Sequence, residues 1–176
     1  MPKIKFDEKT GFAYLPVRIK GLGIKTHDIT SRIRFKVDTG ASSSTINIET
    51  LRELGYGEDW VRENGRELTD NERPRGFSGE CVDGLFEIHL PHVIIGLNHA
   101  FKCRFMTRLN APSEANPLQL LLGLDILSNF NWTFNFDENE FSFNYRRFPN
   151  STEGTQRRTV FHSVDENNDA GFVYNQ

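Results

Sequence analysis

Apolar residues in this chain recur mainly at every second position, the period of a strand with one buried face. In the stretch RIRFKV, residues 32–37, Ile33, Phe35 and Val37 fall on one face while Arg34 and Lys36 fall on the other. That alternation predicts a half-buried strand running straight into Asp38-Thr39-Gly40. Ile46 and Ile48 resume the alternation, and then the period changes. Thr50 and Glu53 stand at capping-box spacing, Leu51 and Leu54 share a helical face, and Gly55 supplies a stop, which predicts a short helix.

Residues 56–75 are polar and rich in turn formers, and read as a surface excursion with one helical turn near Trp60 and Val61. The following stretch, GFSGECVDGLFEIHLPHVIIG, predicts strands broken by glycines, with a hairpin centred near Gly79 and a strand from Leu85 through Ile95. Alternation returns with Phe101, Cys103 and Phe105. After a loop, the continuous apolar run 120–122 fits a fully buried strand, and Asp125 is placed to cap a short helix from Ile126 to Phe130. Two alternating runs flank Asp137-Glu138-Asn139 as a terminal hairpin. These elements predict a mainly β domain over residues 1–146. The remainder, 147–176, is a polar tail whose apolar pieces are too short to build a core, either disordered or docked.

The chain has 176 residues, enough for one domain with a substantial core. Its 21 Lys and Arg balance 24 Asp and Glu with no basic cluster beyond the pairs Arg146-Arg147 and Arg157-Arg158, which argues against nucleic acid as a partner. Apolar runs stop short of membrane-spanning length, and the N-terminus mixes charge into its apolar positions, so a soluble cytoplasmic chain with no membrane partner is expected. Two cysteines, Cys81 and Cys103, are too few for a disulfide framework and read as strand-core thiols.

Asp-Thr-Gly alone is an ordinary turn signal. Here it ends an apolar strand, small residues follow it, a glycine-bearing hairpin lies downstream, and Leu121-Leu122-Gly123-Leu124-Asp125 precedes a short helix and a hairpin. In this combination the chain, over roughly residues 10–146, resembles the retropepsin-like aspartic proteases, the single-domain relatives of the pepsins. The resemblance implies a closed acid-protease barrel with a flap hairpin and one or two short helices. It implies that Asp38 is catalytic, that Thr39 hydrogen-bonds across a dimer, and that Gly40 lets the backbone pass close to the carboxylates, with Ala41, Leu122 and Gly123 supporting the active-site loop. Asp125 reads as a helix cap rather than a second acid. Since the motif occurs once, the resemblance implies a homodimer in which two Asp38 side chains meet on a two-fold axis.

The chemistry requires that meeting. Two carboxylates at hydrogen-bonding distance share a proton and titrate as a unit. One then takes a proton from water while its partner donates to the scissile carbonyl, without metal or cofactor. By the same resemblance, a peptide or protein substrate lies extended under a flap formed by Phe77, Ser78, Gly79 and Glu80. Many relatives carry two adjacent glycines at the flap tip, where this chain has Gly79-Glu80. The competing reading keeps the fold and the dimer but binds a peptide or protein without cleaving it.

Other chemistry has weaker support. Ser42, Ser43 and Ser44 lack a nucleophile elbow and read as hydroxyls satisfying a polar loop. His89, His92 and His99 lack a shared strand face, with Pro91 between the first two, which disfavours a metal site. The aromatic cluster Phe130, Trp132, Phe134, Phe136, Phe141 and Phe143 is expected to pack in the core or an interface.

Overall fold

The computed structural model describes residues 3–24, 32–73, 84–95, 100–109 and 118–145. In chain order the elements are β1 (Lys3–Lys5), β2 (Tyr14–Ile19), β3 (Ile33–Val37), α1 (Ile48–Glu53), α2 (Glu58–Asn64), β4 (Arg66–Glu67), β5 (Leu85–Ile95), β6 (Ala100–Arg108), β7 (Leu121–Leu122), α3 (Leu124–Leu127), β8 (Phe130–Asn135) and β9 (Glu140–Tyr145). No helix among them is long and apolar enough to cross a membrane.

Strand β3 lies inside the larger sheet. It pairs antiparallel with β2, Leu15 opposite Phe35, and parallel with β7, Val37 opposite Leu122. Its alternation is realised with Phe35 fully buried and Arg34 exposed. The Phe35 ring packs 5.7 Å from that of Phe105 in the main core, alongside Leu15, Val17, Ile88 and Leu122. Each such fully buried side chain contributes about 1.5–3 kcal/mol, so the strand delivering Asp38 is anchored on both edges and one face.

The larger sheet runs β4-β5-β2-β3-β7, with β6 also paired to β5. The second sheet is β1-β9-β8. Segment 44–46 touches two strands of the larger sheet through isolated bridges from Thr45 to Met106 on β6 and to Leu121 on β7. Each of these bridges is one residue wide. The expected closed barrel is therefore not formed as a continuous ladder among the described residues.

Strand β5 has the predicted bounds, and its register shifts between Leu90 and Val93. Pro91 has no N–H for the ladder, and His92 takes a positive φ of 54° at the break. The terminal hairpin forms as expected, with Asn139 at φ 53° closing its turn.

Three expectations are corrected. The first helix begins at Ile48, because Asn47 rather than Thr50 caps it by accepting the Thr50 N–H. The excursion contributes more than a surface loop: α2 has seven residues, Val61 is fully buried in the main core, and Tyr56 sits against Trp60 with ring centroids 4.6 Å apart. The third helix spans Leu124–Leu127 with Gly123 at its N-cap, so Asp125 lies inside its first turn and does not cap it. Of the aromatic cluster, Phe130, Phe141 and Phe143 are buried, but Phe134 is 38% and Phe136 78% exposed. Phe134, near the end of β8, and Phe136, just beyond it, stack on Phe6 at the margin of the core. The flap hairpin and the 147–176 tail lie outside the described residues.

Candidate active site

Asp38 leaves β3 with its backbone still held by the sheet. Its N–H donates to Leu122 O at 3.0 Å, and the preceding Val37 N–H donates to Ala13 O at 2.8 Å. The chain then turns at once: Gly40 N–H donates to the Asp38 carboxylate Oδ1 at 2.9 Å, and Ala41 N–H donates to Asp38 O at 3.3 Å. Asp38 is half-buried while Thr39 and Gly40 are exposed, so the tip of the loop, with a carboxylate just behind it, faces outward. Any side chain at Gly40 would bring its Cβ to 3.2 Å from Asp38 Oδ1 and crowd the acid.

The support below the loop comes from the Leu-Leu-Gly-x-Asp stretch. Leu122 is fully buried. Gly123 is packed so closely that an added Cβ would lie 2.6 Å from the Ser43 carbonyl carbon and 2.9 Å from Ala41 O. Leu124 N–H donates to Ala41 O at 2.8 Å, which ties α3 to the far side of the turn. Parallel pairing with β3 thus brings residues more than 80 positions apart into one backbone-linked unit.

Ser44 is the hub of that unit and is fully buried. Its Oγ accepts the Gly123 N–H at 2.9 Å and donates to Asp125 Oδ1 at 2.6 Å. Its own N–H donates to Asp125 Oδ2 at 3.0 Å, and its carbonyl accepts the Met106 N–H at 2.9 Å. Every polar group of Ser44 is satisfied, as a buried hydroxyl requires. The Asp125 side chain is 7% exposed and has Arg104 Nη2 3.5 Å from Oδ2.

Asp125 is consequently a clamp on Ser44, a role that the pattern Gly-x-Asp before an apolar helix does not distinguish from a cap. Three serines in a row gave no sign of which one is buried; the only local signal is that Ser44 shares the parity of Ile46 and Ile48. Arg104 carries no such signal, because on an alternating strand it looks like an ordinary outward-facing charge.

The remaining candidates fall away from this centre or outside the described residues. Phe77, Ser78, Gly79 and Glu80 lie outside them, as do Cys81 and His99. Cys103 is buried in β6, and burial pushes its thiol well above the usual range, with the nearby Asp125 charge adding to the effect. A thiol held neutral in this way is no nucleophile. His89 is exposed on β5, and His92 sits at the bulge.

The arrangement is a rigidly mounted, outward-facing carboxylate, with no second acid bonded to it among the described residues. Such a loop can position a proton donor or acceptor, and a facing carboxylate would complete an acid–base pair. The fold is similar to that in the crystal structure of a retropepsin-like aspartic protease from Rickettsia conorii, with a TM-score of 0.51 and 20% sequence identity over 82% of this chain and 90% of that one. At that identity the likeness establishes a retropepsin-like fold. No family model and no curated protein matches the sequence.

Proposed function

We propose that the protein is an aspartic endopeptidase that works as a homodimer, two Asp38 side chains forming its acid–base pair. The observation that carries this reading is the Asp38 loop itself. Its carboxylate is fixed by the Gly40 N–H, the strand below it is locked to β7, and Thr39 and Gly40 are exposed where a second loop would meet it. The retropepsin-like fold supports the same reading.

In the proposed reaction, a water held between the two carboxylates loses a proton to the ionised Asp38 as it attacks the peptide carbonyl. The protonated Asp38 of the second copy donates to the carbonyl oxygen, and proton return to the amide nitrogen releases the two products. Rigid mounting serves this chemistry, because the pair must be aligned before the substrate arrives.

The test is cleavage of a denatured protein or a peptide library by wild type and by Asp38→Asn, with the oligomeric state measured by ultracentrifugation. Cleavage by a dimeric wild type, lost in the variant and blocked by a transition-state peptide analogue, is the expected result. A dimer that binds such peptides and never cuts them would make the protein a binding module. A wild type that stays monomeric at assay concentration and cleaves nothing would overturn both readings.

A further inference from the structure

Beyond the loop and its clamp, a line of charge runs across the sheet. Arg104 on β6 sits between two carboxylates: Nη2 is 3.5 Å from Asp125 Oδ2, and Nη1 is 3.4 Å from Glu87 Oε2 on β5. Glu87 in turn faces Arg66 Nη2 at 3.4 Å, and Arg66 Nη1 is bonded to Glu72 at 2.8 Å. Glu72 is tied to Thr69 by that residue's N–H and hydroxyl, at 3.1 and 2.9 Å. The clamp under Asp38 is thereby linked to β5 and to the segment that follows β4.

The geometry of Arg104 is poor for stability. Its two ion-pair distances are longer than well-formed charged hydrogen bonds, and its Nε is buried without a hydrogen-bond partner among the described residues. A part-buried guanidinium with an unmatched N–H contributes less to folding than an apolar side chain of the same shape would. What it does supply is direction. The Asp125 carboxylate takes the Ser44 hydroxyl and the Ile126 N–H on Oδ1, and the Ser44 N–H and Arg104 on Oδ2. Without the cation, Oδ2 keeps only the Ser44 N–H, and the carboxylate is held less tightly in the plane that faces Ser44.

We propose that Arg104 is a positioning residue: it aims Asp125 at Ser44, and through Ser44 and Gly123 it fixes the loop that carries Asp38. Its importance for activity rests on the protease reading above, whereas its effect on the loop does not. This acts on Ser44 and Thr45, which are bonded to α3, β6 and β7 at once.

The test compares wild type, Arg104→Met and Arg104→Lys by amide hydrogen exchange, thermal melting and peptide cleavage. In Arg104→Met the Ser44 and Gly123 amides should exchange about tenfold faster, the size expected for losing one charge-assisted contact. The Ile88 and Phe105 amides and the melting temperature should stay at wild-type values. Arg104→Lys should recover part of the protection at Ser44 and Gly123. If wild type cleaves peptides, kcat should fall in Arg104→Met with KM unchanged. If wild type cleaves nothing, the protease reading fails, while the exchange comparison still decides the role of Arg104. Unchanged exchange at Ser44 and Gly123, loss spread equally over all four amides, or a Lys variant no better protected than the Met variant would each overturn the proposal. Should Arg104→Met not fold, Arg104→Lys against wild type carries the same comparison at the same amides.

Discussion

A single methyl group added at Gly123 probes how tightly the Asp38 loop is held. The backbone there has φ −97°, open to any residue, so Gly123→Ala tests space alone. The new Cβ would meet the Ser43 carbonyl carbon at 2.6 Å, its oxygen at 2.7 Å and Ala41 O at 2.9 Å. Relaxed contacts of a methyl group lie near 3.5–4.0 Å, so the loop or α3 has to move by roughly 1 Å. The atoms in the way are backbone, and Ala41 O already accepts the Leu124 N–H. Overpacking of a tight site costs about 1–3 kcal/mol, and with no flexible side chain to yield, the upper half of that range applies. At this chain length the expected fall in melting temperature is about 5–10 °C. Because the displaced segment positions the proposed acid, cleavage should fall further than stability, on the order of a hundredfold for a shift near 1 Å. Circular-dichroism melts and urea titrations with an unchanged m-value, run beside a peptide-cleavage assay at a temperature where the variant is fully folded, measure both effects. A Gly123→Ala protein with wild-type melting and cleavage would refute the close packing of Gly123 beneath the loop.

Other outcomes follow from the same contacts. Ser44→Ala removes the hub and leaves the Gly123 N–H and the Asp125 carboxylate short of a partner, so unfolding free energy should drop by about 2–3 kcal/mol, measured by urea denaturation. Asp125→Asn keeps one acceptor for Ser44 and should cost less than Asp125→Ala in the same assay. The bonds from Arg66 and Thr69 lower the Glu72 carboxyl from 4.5 to about 2. A depressed folded-state value stabilises the fold above the unfolded carboxyl range, and that contribution disappears as pH falls towards about 2. An NMR titration of the Glu72 side chain should place its midpoint there, and Arg66→Gln should return it towards the ordinary range.

Much of the fold was legible because it rests on short-range pattern. Phe35 between Arg34 and Lys36, the glycine after α1, and the turn at Asp137-Glu138-Asn139 each carry local steric or solvation preferences that neighbours along the chain satisfy. The bounds of β5 could be read for the same reason, while its bulge at Pro91-His92 is a consequence of a missing N–H that only matters once β6 lies alongside. Phe134 and Phe136 follow the same alternation as Phe130, yet they are exposed; periodicity reports which face a residue shares, not how far the core beneath that face extends.

The candidate site divides along the same line. That Asp38 ends a buried strand, turns on glycine and is followed by small polar residues is written in consecutive positions, since backbone sterics and strand period act over a few residues. Which serine is buried, that Asp125 grips it rather than capping α3, and that Arg104 stands behind Asp125 depend on pairing β3 with β7 and on bringing β6 beside them. Hydrogen bonds and ion pairs between residues 21 to 81 positions apart leave no periodic trace in a single chain, because any polar residue of suitable size satisfies the local pattern equally well. Only when the sheet closes the distance does geometry select one partner from the many that composition allows.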